Sequence, residues 1–220
     1  MRFLSLDLKG LLLSLIIGTL VLVLGGSQGL FLLVVLVSFL VLSAITTEIG
    51  KKRKKHMKVY EKARGWKNVA ANGIVPIMLV LVLFLETSFR YGSGSMVVLM
   101  YVASVSAITA DKFASELGIL GGEPRDILTF RRLNMGRSGG VTFLGSGMAL
   151  VAAFAISLSL LAHGYTVVDV LISGMAGFLG NIIDSVFGHF EEEGIGNKYS
   201  SNIFCALFGA IFSLMLIMVV

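Results

Sequence analysis

Three acidic side chains stand where acids are rare. Asp111 and Glu116 occur in Thr109-Ala110-Asp111-Lys112-Phe113-Ala114-Ser115-Glu116-Leu117-Gly118, where a long apolar run gives way to a polar stretch. Asp184 occurs in Gly180-Asn181-Ile182-Ile183-Asp184-Ser185-Val186-Phe187-Gly188, still inside an apolar run. Ionisable groups so close to lipid are costly and persist where they meet a counter-charge. Asn68 and Asn72 are four residues apart, hence on one helical face, and Asn202 opens the last apolar run. Oxygen ligands of this type suit Mg²⁺, which keeps several waters and takes one or two carboxylates plus substrate phosphates. The expected metal ligands are therefore Asp111 and Asp184, with Glu116 close by. Each amide has an alternative reading as a helix cap or a neighbour's partner.

A second group lies between residues 121 and 142. It reads Gly121-Gly122-Glu123-Pro124-Arg125-Asp126, then Ile127-Leu128-Thr129-Phe130-Arg131-Arg132, and ends in Gly136-Arg137-Ser138-Gly139-Gly140-Val141-Thr142. Glycines let backbone N–H groups approach an anion, and a following helix N-terminus adds partial positive charge. Arg125, Arg131, Arg132 and Arg137 can fork onto phosphate oxygens, while Gly136, Gly139 and Gly140 can supply backbone donors. Facing the acids, this segment points to a polyphosphate site; the alternative is a surface loop whose arginines set topology. No P-loop sequence and no protein-kinase signature is present. His56, His163 and His189 are isolated and read as no metal site.

The elements that must hold these groups are membrane spans. The chain is 56% hydrophobic and 14% charged, against roughly 25% charged in a soluble domain. Its mean hydropathy is +0.91. These values exclude a soluble enzyme, a disordered tail and a disulfide-rich secreted domain. Cys205 is the one cysteine, so neither an internal disulfide nor a thiolate metal site is open to it. Seven segments approach the roughly 20 apolar residues a span needs: 8–24, 30–46, 68–86, 95–110, 142–162, 167–187 and 201–219. The first reads as a retained span, not a cleaved signal, and Gly25-Gly26-Ser27-Gln28-Gly29 ties it to the second as a hairpin. In lipid such segments must be helices, and none shows the alternation of a barrel strand. The expected fold is an all-α, polytopic bundle of about seven transmembrane helices, one domain over 1–220.

With the N-terminus inside, every Lys and Arg except Arg90 falls on the inner face, which predicts a cytoplasmic N-terminus in a cell membrane. Two long loops share that face, a basic one at 50–67 and the Gly/Arg-rich one at 111–141. The stretch Lys51-Lys52-Arg53-Lys54-Lys55-His56 reads first as a topology anchor that attracts anionic lipid, and second as a phosphate contact. No nucleic-acid module surrounds it.

Taken together, Asn72-Gly73, Ala110-Asp111 with Ala114-Ser115-Glu116 and Gly118, Pro124-Arg125 with Thr129, Gly136 with Gly139-Gly140 and Thr142, and Gly180 with Asp184-Ser185 and Gly188 resemble the phytyl-phosphate kinase family of integral membrane proteins. The resemblance covers most of the chain from Asn68 onward. It implies transfer of the γ-phosphate of CTP to a prenyl monophosphate, with Mg²⁺ and a membrane-embedded site. Residue by residue it implies that Asp111, Glu116 and Asp184 are catalytic. Asn72, Arg125, Thr129, Gly136, Gly139, Gly140, Thr142 and Ser185, with Arg131, Arg132 and Asn202 added by their residue type and place, would contact the nucleotide or its phosphates. The chain departs from the family pattern at Arg137-Ser138, and after Gly188, where it has His189 and Glu191-Glu192-Glu193.

The residues support that reaction class by a separate route. Phosphoryl transfer relies on positioning and charge neutralisation, and a monophosphate acceptor needs no strong general base. Two rivals use the same parts. One is a CTP-dependent cytidylyltransferase making a CDP-activated lipid. The other is a transporter, which predicts charges near the bilayer midplane and inverted repeats. A homo-oligomer is compatible with all three.

Overall fold

Because lipid offers the backbone no hydrogen-bond partners, each apolar run closes its bonds internally as a helix. A computed structural model describes residues 6–60, 65–90, 92 and 94–219. Arg2, Lys62 and Arg64, part of the expected inner-face charge, lie outside the described residues. Helices α1 (Leu8–Leu24) and α2 (Gly29–Glu48) form the expected hairpin, followed by the short α3 (Lys51–His56). Then come α4 (Trp66–Phe89), α5 (Ser95–Gly118), α6 (Phe143–Ser157) with its one-turn continuation α7 (Ser159–Ala162), α8 (Val167–Glu192) and α9 (Lys198–Ile217). Among the described residues six helices are long and apolar enough to cross a membrane, and Leu8–Leu24 is a shorter apolar one. About seven spans is thus the architecture. Side-chain caps fix several starts: Thr142 accepts from Gly145 N–H at the head of α6, and reciprocal pairs Thr166/Asp169 and Asn197/Ser200 open α8 and α9.

The bundle is built around α5, whose residues from Tyr101 to Ala110 are all buried. Its surface there is mostly alanine, serine and valine, and α8 and α9 answer with glycines. A Cβ on Gly177 of α8 would stand 2.4 Å from Ser106 Cβ of α5, so only glycine permits that crossing. Since lipid supplies no hydrophobic drive between spans, such close backbone approach is what holds α5, α8 and α9 together. On the other side, Tyr101 donates its hydroxyl hydrogen bond to Leu32 O of α2 at 3.0 Å.

Several helices extend past their apolar cores, and this moves the functional residues. Helix α5 runs eight residues beyond Ala110, to Gly118, so Asp111 and Glu116 ride on a helix and the following loop begins at Ile119, not at 111. Helix α8 continues to Glu192, and α9 starts at Lys198, which puts Asn202 inside α9. The basic segment 50–67 is partly ordered as α3. The Gly/Arg-rich loop holds a two-residue antiparallel ladder, β1 (Arg125–Asp126) with β2 (Gly140–Val141), pairing Arg125 with Val141 and Asp126 with Gly140.

Candidate functional site

At one end of the bundle, α5, the tail of α8, the heads of α6 and α9, and the loop after α5 enclose a cavity of about 420 Å³. Asp111 of α5 and Asp184 of α8 face each other within it, inside side-chain hydrogen-bonding range. Oδ1 of Asp184 is buried and has no hydrogen-bond partner. Two carboxylates that close repel unless a proton or a cation joins them, and the orphaned oxygen is suited to a metal ligand. Among the described residues no group of three or more acidic, histidine or cysteine side chains comes together to hold a metal. A pair still meets what Mg²⁺ takes from a protein, the rest being water and phosphate.

Cations ring the pair. Lys112, Lys198, Lys58 and Arg137 line the cavity, with Asn181, Ser185 and Asn202 between them. Glu191 also lines it and accepts a hydrogen bond from Ser201 Oγ at 2.5 Å. The N-terminal turns of α6 and α9 form part of the wall, and their partial positive charges favour an anion inside.

Glu116 lines the same cavity, but its carboxylate is committed to lysines. Its Oε2 is 2.6 Å from Lys54 Nζ, and its Oε1 is 2.5 Å from Lys112 Nζ and accepts from Thr47 Oγ1 at 3.1 Å. Lys54 is fully buried and also donates to Thr46 O and Thr47 O at the end of α2. A carboxylate held by two ammonium groups has little left for a metal. Its role is to pin α2, α3 and α5 together and to hold Lys112 at the cavity wall.

The loop divides in two. Its second half meets the site: Gly136, Arg137, Gly139, Gly140 and Thr142 line the cavity. Gly139 lies on α8, where a Cβ would come within 2.6 Å of His189 N, and a Cβ on Gly188 within 2.4 Å of Gly139 N. Glu192 secures the same contact, accepting from Ser138 N–H at 3.0 Å with Arg137 Nε 3.4 Å from its carboxylate. The first half turns away. Arg125, Thr129, Arg131 and Arg132 do not line the cavity; all four are exposed, and Arg132 pairs with Glu123. The cause is Asp126, 4% exposed, which accepts from the N–H groups of Leu128 and Thr129 and from Thr129 Oγ1, and contacts His189 Nδ1 at 2.7 Å. Burial alone would push the Asp126 carboxyl up, but hydrogen bonds from Thr129, His189 and Leu128 outweigh it and hold it at about 2.

Asn72 sits one step aside. It donates to Asn68 Oδ1 at 3.0 Å, and both line a small side chamber with Asp111, Lys112, Lys198 and Asn202.

Across residues 1–206 the chain matches the model of the family described as integral membrane protein DUF92. The chain belongs to this family. This DUF92 chain is 34% identical over 218 residues to an uncharacterized membrane protein of Methanocaldococcus jannaschii, covering 96% of this chain and 85% of the relative. It is 28% identical over 208 residues to Protein PGR of Arabidopsis thaliana, covering 84% and 71% respectively. No solved structure matches it.

In this DUF92 chain Lys54, Lys58, Lys112, Lys198, Glu191 and the Asp126–His189 contact were not expected from the sequence. One signal was available: Lys112 and Glu116 have the i,i+4 spacing of a helical ion pair once α5 is extended past Ala110. Nothing local marks Lys54 among its basic neighbours.

Proposed function

We propose that this chain is a Mg²⁺-dependent phosphotransferase that moves the γ-phosphoryl group of a nucleoside triphosphate, CTP, onto a prenyl monophosphate at the cytoplasmic face of a cell membrane. The observation that carries the reading is the Asp111–Asp184 pair, with its orphaned buried oxygen, inside a cavity lined by Lys112, Lys198, Lys58 and Arg137. The resemblance to phytyl-phosphate kinases supports the choice of donor and acceptor, and the basic residues of the loops support the inner face.

Asp111 and Asp184 are the residues that would hold Mg²⁺, which when bound supplies charge neutralisation on the donor's phosphate oxygens. Lys112 and Lys198 neutralise the phosphates from the α5 and α9 sides, and Arg137 and Lys58 from the loop side. Thr142, Gly136, Gly139 and Gly140 shape the wall against the triphosphate, and Asn202 and Ser185 orient its oxygens. A nonbridging oxygen of the acceptor phosphate bonds to the γ-phosphorus as the bond to the β–γ bridging oxygen breaks, and the electron pair leaves on CDP. The acceptor oxygen is already anionic at neutral pH, so no residue need remove a proton. That agrees with a cavity whose wall, among the described residues, carries carboxylates, lysines and an arginine but no histidine.

The test is an assay of the purified protein in detergent with Mg²⁺, CTP or ATP, and prenyl monophosphates of several lengths. CDP plus a prenyl diphosphate is the expected product. Pyrophosphate plus a CDP-lipid would establish the cytidylyltransferase instead, and no product under any combination would sink the enzymatic reading.

A further inference from the structure

The geometry points to the groove between α1, α2 and α4 as the seat of the acceptor's single hydrocarbon chain, with Asn68 and Asn72 as the passage to the cavity; this rests on the phosphotransferase reading. The groove is lined by apolar side chains including Ile17, Leu36, Phe39 and Val69, and its polar members are Ser14, Asn68 and Asn72. Phe39, Asn68 and Asn72 also line the side chamber, and that chamber shares Asp111, Lys112, Ser115, Lys198 and Asn202 with the main cavity. The three spaces therefore adjoin in order: an apolar groove, then two amides, then two lysines beside the carboxylate pair. A molecule matching that order has a hydrocarbon end and an anionic head.

The groove encloses only about 30 Å³, far less than a C20 chain occupies, so the chain would lie along its open side with only a short part of its length inside. Helix α1 forms one wall and buries only Gly10, Ile17 and Val21. Moving a chain from lipid into such a groove gains little free energy, since both are apolar. The groove selects by shape and aims the head, while the lysines hold it. The Asn68–Asn72 hydrogen bond at 3.0 Å keeps both amides at the neck.

The experiment uses the full chain in nanodiscs and a C20 prenyl monophosphate carrying a diazirine at its far end. Crosslinks to α1, α2 and α4 near Ile17, Leu36 and Val69, reduced by unmodified prenyl monophosphate but not by the prenol, are expected. Crosslinks spread over the outer faces of α6 and α8, or insensitive to that competitor, would overturn the proposal. Gly73→Leu sharpens it, because a Cβ there meets Ile17 Cδ1 at 2.7 Å and the larger side chain fills the groove. In that variant KM for the C20 acceptor should rise about tenfold, the scale of a few methylene contacts, with KM for a C5 acceptor unchanged. An equal change for both acceptors counts against the groove. Competed crosslinking without any turnover would support the groove while removing the phosphotransferase reading, and turnover with crosslinks elsewhere would do the reverse.

Discussion

The arginines after α5 and the lysine at its end are both basic and behave oppositely in the fold. At the tip of the loop after α5, Arg125, Arg131 and Arg132 surround Leu128 and Phe130 and face outward. Asp126 uses its carboxylate to accept hydrogen bonds from within its own turn, and Phe130 is held at φ 57°, a conformation that costs a non-glycine residue about 1–2 kcal/mol. The ion pair Arg132–Glu123 is largely exposed and contributes little. Lys112 differs on each point. Its side chain is 13% exposed, its ammonium is held 2.5 Å from Glu116, and it borders both the main cavity and the side chamber. Charge density along a chain therefore says little about a phosphate site; what matters is whether a second element fixes the charge toward an enclosed space.

The comparison breaks most readily at the carboxylate pair. Asp184→Asn and Asp111→Asn should each lower turnover about a thousandfold or more, the scale of losing a charge-stabilising group at a reacting centre. The variants should keep the folded, membrane-inserted state by gel filtration, because the amide is isosteric. Turnover within tenfold of the parent chain in both would remove the pair from the mechanism and the polar cavity from its special standing.

Next comes the buried network below the cavity. Lys54→Met leaves Glu116 with Lys112 as its ammonium partner and removes the donor to Thr46 O and Thr47 O. Breaking a buried pair from one side typically costs about 3–5 kcal/mol. The expected result is a clear fall in thermal stability in detergent, whereas Lys52→Met, on the same short helix but exposed, should leave it unchanged. Equal effects would mean that Lys54 is only another member of the basic stretch.

Much of this architecture was legible in the sequence, and the reason is the solvent. Seven apolar runs in lipid have one backbone solution, so the helices and the first hairpin could be read from hydropathy and from Gly25 to Gly29. The acids Asp111 and Asp184 were legible as a pair because an acid at a helix end inside an apolar run is costly unless it meets a cation. Arg125, Arg131, Arg132 and Thr129 misled, whereas Arg137 did not, for a physical reason: residue type gives what a side chain can bind, but the direction it points is set by the turn that Asp126 builds. Glu116 was legible as a neighbour of the pair but not as an ion-pair anchor, because its partner, Lys54, is 62 residues away and sits among four other Lys and Arg residues. Its other partner, Lys112, was hidden by ending the helix with the hydrophobic run. Helices of this bundle continue past their apolar runs, and those extensions bring Asp111, Lys112, Glu191 and Lys198 to the site.

Lys112 offers a finer probe of the same contrast. Lys112→Ala removes an ammonium aimed at the cavity but leaves Glu116 paired with Lys54. A lost hydrogen bond to a charged group is worth about 1.5–3 kcal/mol, so KM for the nucleotide or the acceptor should rise roughly 10- to 100-fold. Arginine at that position should restore part of the loss, which a purely structural lysine would not require.

A smaller effect belongs to Asp126, which keeps the two halves of the loop apart. Asp126→Ala leaves the N–H groups of Leu128 and Thr129 without their acceptor, a cost of about 1–3 kcal/mol if they stay buried. Hydrogen exchange at those amides should speed up at neutral pH. In the parent chain the carboxyl is depressed to about 2 from an ordinary 3.8, so its contribution is whole above the ordinary value and fades as pH falls through 2. Protection factors at Leu128 and Thr129 should accordingly not fall between neutral pH and pH 5; a decline across that range would assign the turn to another group.

The smallest change is expected at the arginines themselves. Substitution of exposed side chains away from a site usually shifts stability by no more than about 0.5 kcal/mol, and Arg131 and Arg132 have no wall of the cavity to lose. The double variant Arg131→Ala, Arg132→Ala should therefore keep KM for CTP within about twofold of the parent chain, about the same free-energy margin. If instead KM rises as it does for Lys112→Ala, the tip must fold over the cavity when nucleotide binds. The contrast between an outward arginine turn and an inward lysine wall would then hold only for the chain without its substrates.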